Sequence, residues 1–141
     1  MADPPTEFSG HCLCGSITYT ATAAPVMQGV CHCTDCQRQT GTAFSIVIGV
    51  PRDALRIEGD TLSSFTTIGE VHQTPTERKF CSACGSPIAS FVEGMPDLAW
   101  IKAGTLDDAS WLEPAFEIWV RSAQPWAPHI EGVPQLERAP G

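Results

Sequence analysis

Seven cysteines fall into three tight groups, Cys12/Cys14, Cys31/Cys33/Cys36 and Cys81/Cys84, and nothing else in the chain constrains the fold as strongly. Two thiolates one or two residues apart can grip one metal ion from a single turn, with backbone N–H groups turned toward the sulfurs. Gly15 follows the first pair and Gly85 the last, which supplies the turn chemistry such a grip needs. Cys12, Cys14, Cys81 and Cys84 together make a tetrahedral four-sulfur set. Zinc, without redox chemistry or a geometric demand of its own, is its natural occupant. Such an ion staples an N-terminal hairpin to one in the second half of the chain, and structural zinc contributes on the order of 10 kcal/mol in isolated fingers. The competing explanation is a pair of disulfides in a secreted protein. An odd cysteine count and the lack of a basic and apolar leader segment speak against it. The expected compartment is the cytoplasm, where thiols stay reduced.

Cys31, Cys33 and Cys36 offer three sulfurs from one loop, and no eighth cysteine exists to complete the set. Three protein ligands and an open fourth position mark catalytic zinc, giving two zinc ions per chain. Alternatively His11, His32, His72, His129 or Asp35 closes the site, although His32, between two ligands in an extended segment, points away from them. Three thiolates outweigh the 2+ charge of zinc, so the ion is a weaker Lewis acid toward water than at a three-histidine site. An incoming thiol is the more natural fourth ligand, because zinc lowers its pKa and holds it as thiolate. The expected chemistry is carbon–sulfur bond making or breaking: a thiolate adding to an aldehyde, or the reverse.

The chain of 141 residues suits one domain, 1–141, with a core over about 8–126 and a polar, proline-rich tail from 127 onward expected to pack loosely. Twelve prolines and twelve glycines imply many turns and few long helices. Residues 7–20 read as a hairpin; 26–30, 44–50, 55–58, 63–67, 77–80, 88–92, 98–103 and 116–120 read as further short strands. Residues 37–42 are polar and loop-like, with one helical turn expected near Thr34. About nine short strands with turn signals between them indicate an all-β protein. A net charge of −8 disfavours nucleic acid and anionic membrane surfaces as partners. No apolar run is long enough to span a bilayer. A Ser-His-Asp arrangement, a phosphate-cradling loop and a dinucleotide fingerprint are all missing, which leaves a small-molecule thiol and aldehyde as the expected partners.

Several segments together resemble a known family: Gly10-His11-Cys12-Leu13-Cys14-Gly15-Ser16, then Cys31-His32-Cys33-Thr34-Asp35-Cys36-Gln37-Arg38 with Thr40, Gly41 and Phe44. Arg78-Lys79-Phe80-Cys81-Ser82-Ala83-Cys84-Gly85-Ser86, Gly104-Thr105-Leu106-Asp107-Asp108 and Glu117-Ile118-Trp119 with Ser122 and Trp126 continue it. The chain is similar to the glutathione-dependent formaldehyde-activating enzymes, a family that also includes centromere protein V. The resemblance implies a β-tent fold of small antiparallel sheets. It assigns Cys12, Cys14, Cys81 and Cys84 to a structural zinc and Cys31, Cys33 and Cys36 to a catalytic zinc. It implies a carbon–sulfur lyase that reversibly joins glutathione to formaldehyde as S-hydroxymethylglutathione. This chain is shorter than the better known glutathione-using members, with less room for loops around a tripeptide. Glutathione on so acidic a protein needs local cations; Arg38 is the first candidate, followed by Arg52, Arg78 and Lys79. Thr40 and Gly41 close the metal loop and, with Phe44, complete the candidate substrate-binding set. The tryptophans are read as packing residues, with Trp119 and Trp126 as candidates for an aromatic wall. The rival reading is a non-catalytic, zinc-stabilised binding or scaffolding module, since fold alone does not choose. The oligomeric state is left open, a homodimer among the options.

Overall fold

The structure, a computed structural model, describes residues 3–68 and 74–139; His72 lies outside them. In chain order the strands are β1 (Phe8–His11), β2 (Thr18–Ala21), β3 (Met27–Cys31), β4 (Ser45–Pro51), β5 (Leu55–Glu58), β6 (Leu62–Ile68), β7 (Pro75–Cys81), β8 (Pro87–Val92), β9 (Leu98–Lys102) and β10 (Glu117–Ile118). A single α-helix among the described residues, α1 (Thr34–Thr40), separates β3 from β4.

The strands form two sheets, one of order β1-β2-β5 and one of order β10-β3-β4-β9-β8-β7-β6. All pairings are antiparallel except β10 on β3. In β2 the period-two alternation buries Tyr19 and Ala21 and leaves Thr18 outside. The run from Val47 to Val50 in β4 is buried without alternation, as suits an interior strand covered on both faces. Phe8, Tyr19 and Ala21 from the small sheet, with Ile17 just before β2, pack with Ile48, Val50, Ile88, Ala89, Ala99 and Ile101 from the large one. Two sheets leaning on one shared core is the all-β tent that the sequence implied, although one sheet is larger than expected and mixed.

Three local differences from the sequence reading have physical causes. The turn near Thr34 extends to a seven-residue helix because both ends are capped. Cys33, in an extended conformation, accepts the Cys36 N–H on its sulfur at 3.3 Å, and Gly41, at φ 70°, donates its N–H to Gln37 O at 2.9 Å. The strand expected over 116–120 shortens to two residues because Trp119 turns into the left-handed region at φ 56°. The tail, expected to be loose, docks on β10. Glu117 N–H donates to Pro134 O and Leu136 N–H donates to Glu117 O, each at 2.9 Å. Without these partners β10 would leave an unpaired edge beside the three-cysteine loop.

Candidate metal centres

The first centre is built by two turns from different sheets. Cys12 and Cys14 sit in the β1–β2 turn, where Cys12 N–H donates to Ile17 O at 3.0 Å; Cys81 ends β7 and Cys84 lies in the β7–β8 turn. Gly15 at φ 81° and Gly85 at φ 83° close the two turns, donating to Cys12 O at 3.1 Å and Cys81 O at 2.7 Å. The four sulfurs lie within 4.8 Å of one another and can hold a metal ion. Cys12 and Cys14 are separated by 3.7 Å and Cys14 and Cys81 by 3.8 Å between sulfurs. A tetrahedral ion with metal–sulfur bonds of about 2.3 Å spaces its sulfurs about 3.8 Å apart, so the geometry fits an ion of zinc's size. Hydroxyls surround the group: Ser16 Oγ lies 3.0 Å from Cys14 and 3.4 Å from Cys81, Thr61 Oγ1 3.2 Å from Cys81, and Ser86 Oγ 3.2 Å from Cys84. The Ser16 and Thr61 hydroxyls hold the Cys81 thiol down to about 5, and Ser86 holds Cys84 down to about 7. Both favour the thiolate that binds metal.

The second centre is more enclosed. Cys31 ends β3, Cys33 caps α1 and Cys36 lies in its first turn; all three are buried and their sulfurs converge within 4.8 Å. Trp119, also buried, belongs to the same cluster as the three cysteines. Of the two tryptophans proposed as an aromatic wall, Trp119 therefore stands at the cysteines, while Trp126 is 70% exposed. Hydrogen bonds from Cys31 and Cys33 hold the Cys36 thiol well below the usual thiol range, with further help from the charges of Lys102 and Arg78. Hydrogen bonds with Cys33 and Cys36, together with burial, push Cys31 well above it.

None of the described residues that might have closed this centre joins its three sulfurs. His32 is fully buried and directs Nε2 to Glu117 Oε1 at 2.6 Å, and His129 places Nδ1 2.8 Å from the same oxygen. His11 pairs with Asp107, and Asp35, 4.0 Å from Arg78, does not converge with the three sulfurs. His32, Glu117 and His129 form a third convergent group, but the two nitrogens sit at hydrogen-bond distance from one oxygen. Donors around a tetrahedral ion with bonds of about 2.0–2.1 Å stand wider, about 3.3 Å apart. The group is thus a buried hydrogen-bonded triad. Burial alone would raise the Glu117 carboxyl, yet hydrogen bonds from His32, the Ile130 N–H and His129 hold it below the usual carboxylate range.

Arg38 is exposed on α1 and makes no ion pair among the described residues. Thr40 Oγ1 donates to Cys36 O at 2.8 Å, Gly41 caps α1, and Phe44 meets the His32 ring edge-on at 5.3 Å. Arg52 lies over the Phe91 ring and Lys79 pairs with Glu77, so of the lesser cation candidates only Arg78 acts on the three-cysteine group. A cavity of about 410 Å³ lies elsewhere, between Trp111, Gln28 and Pro134, and no cysteine lines it. Sequence reasoning missed Lys102, a lone cation closing an apolar strand, and the acceptor role of Glu117.

The sequence model of the glutathione-dependent formaldehyde-activating enzymes matches residues 7–122, a span that holds both cysteine centres. The chain belongs to this family. A Podospora anserina protein named "putative glutathione-dependent formaldehyde-activating enzyme" is 30% identical over 118 residues, 79% of this chain and 53% of its own length. A Penicillium rubens protein with the same printed name is 26% identical over 115 residues, 79% of this chain and 59% of its own length. The chain thus spans little more than half the length of these curated relatives. Among solved structures, a Rhodobacter sphaeroides structural-genomics target superposes with a TM-score of 0.58 at 17% identity, covering 90% of this chain and 98% of that one. The likeness shows a shared fold.

Proposed function

We propose that this member of the formaldehyde-activating family is a zinc-dependent carbon–sulfur lyase of the S-(hydroxymethyl)glutathione synthase type, working with two zinc ions in the cytoplasm. The observation that carries the reading is the convergence of three buried sulfurs from Cys31, Cys33 and Cys36 with no described histidine or carboxylate joining them. Zinc held there supplies a lowered pKa for an incoming thiol and keeps it as thiolate. Cys12, Cys14, Cys81 and Cys84 hold the structural ion. In the forward direction the substrate sulfur bonds to the aldehyde carbon while the carbonyl oxygen takes up a proton; the reverse breaks the same bond. Trp119 walls the reaction space against water. Thr40, Gly41 and Phe44 form the rim, and Arg38, exposed on a different face of α1 from Cys36, meets a substrate carboxylate away from the sulfurs. No described helix is long and apolar enough to cross a membrane.

The test is formation of S-hydroxymethylglutathione from glutathione and formaldehyde, followed by NMR exchange rates with the zinc-loaded protein. Acceleration over the spontaneous reaction, lost in Cys33→Ser, supports the reading. A rate equal to the spontaneous one with two zinc ions bound leaves a non-catalytic module.

A further inference from the structure

Two cations are buried at the three-cysteine centre without a close carboxylate partner. Lys102, 5% exposed, makes no ion pair among the described residues, and its ammonium donates to Ser45 Oγ at 3.0 Å. Ser45 lies directly opposite Cys31 in the β3–β4 register, so Lys102 reaches across β4 toward the sulfurs. Arg78, 8% exposed, donates to Thr67 Oγ1 at 3.1 Å and Gln39 Oε1 at 3.2 Å, both neutral. Its nearest carboxylate, Asp35, stands 4.0 Å away and is a third exposed, so solvent screens much of that pairing. Burial works against the charge on Lys102 and Arg78 repels it, whereas the nearby sulfurs of Cys36, Cys31 and Cys33 favour it when they are thiolates. Burying one charge without a partner is costly, and burying two like charges together is costlier. The neighbouring groups able to repay this are the thiolates of Cys31, Cys33 and Cys36.

A divalent ion with three thiolates carries one surplus negative charge, which would repel a further anion. Lys102 and Arg78 more than offset that surplus. We propose that Lys102 and Arg78 form an anion-holding wall that commits the remaining position of the three-cysteine centre to an anionic sulfur, the thiolate of a small-molecule thiol, in preference to neutral water. This deepens the lyase reading and rests on it. The thiol gives up its proton to solvent as it binds, and the two cations hold the resulting charge. Lys102 and Arg78 are positioning residues, acting through the field at the sulfur rather than on the aldehyde.

The test uses protein loaded with cobalt(II), which takes tetrahedral sulfur sites and reports each added thiolate by a sulfur-to-metal charge-transfer band. The probe is 2-mercaptoethanol, whose tail is uncharged, so its binding reads recognition of the thiolate alone. The wild type should show a saturable rise in the band, and Lys102→Met should weaken that binding by at least about tenfold. Lys102→Arg should restore most of it, and Arg78→Gln should weaken it in the same direction. A merely structural role for Lys102 would not be rescued by charge in this way. Cobalt content at the four-cysteine centre and an unchanged circular-dichroism spectrum verify that each variant is folded. Equal thiol affinity in the wild type, Lys102→Met and Arg78→Gln overturns the anion wall while leaving the lyase reading intact. A wild type that never responds to any thiol overturns both.

Discussion

Glu117 is the acceptor on which the three-cysteine loop and the C-terminal tail both depend, and its removal should be expensive. Its side chain is fully buried and takes hydrogen bonds from His32 Nε2 at 2.6 Å, His129 Nδ1 at 2.8 Å and the Ile130 N–H at 2.9 Å. Glu117→Ala strands the His32 ring, which already leaves Nδ1 buried without a partner, and the Ile130 N–H. The His129 side chain is 38% exposed and can turn to water, so it adds little. Two stranded donors and an emptied acceptor site give an expected loss of about 3–5 kcal/mol. Glu117→Gln keeps the volume but loses the charge, and its amide cannot accept from all three donors at once; about 1–2 kcal/mol is expected. The assay is urea denaturation of the metal-loaded protein, read by the fluorescence of its four tryptophans. Because the folded carboxyl sits below its ordinary value of about 4.5, its stabilisation is present above that pH and is lost as pH falls through the folded value. The gap between wild type and Glu117→Gln should therefore be full near neutrality and close in acid. Variants within about 0.5 kcal/mol of wild type at neutral pH would refute the triad as a structural anchor.

Two further outcomes separate the centres. Cys81→Ser should lose one metal equivalent and most cooperative folding, since that ion ties the β1–β2 turn to the β7–β8 turn; a normal urea transition with one metal missing contradicts this. Cys33→Ser should lose one equivalent with a smaller stability loss, because its sulfur is drawn from the same short loop as Cys31 and Cys36. Gly85→Ala should cost about 1–2 kcal/mol from its left-handed backbone alone, with metal content unchanged, because an added Cβ meets nothing within 4 Å. Loss of metal in that variant would show that the turn tolerates no strain.

What the sequence revealed was local. The cysteine groups, the hairpin around Cys12 and Cys14 and most strands show in spacing, glycine placement and β-branched runs, since the relevant contacts span few residues. Lys102 reaches the centre only because β9 lies beside β4 and β4 beside β3, and neither neighbour relation is written in the local pattern. Glu117 meets His32 through the parallel β10–β3 pair, 85 residues apart. Arg38 looked adjacent to Cys36 in a loop, but capping at Cys33 and Gly41 winds that stretch into α1. On a helix, residues two apart do not share a face, and Arg38 stands exposed while Cys36 is buried.

The most direct test of the central claim is zinc content with X-ray absorption on protein purified under reducing conditions, with and without glutathione. Two zinc ions per chain, one of which gains a sulfur neighbour when glutathione is added, is the result expected of an open three-cysteine centre that binds a thiolate. Two ions whose coordination is the same in both conditions, each completed by protein ligands, would contradict it.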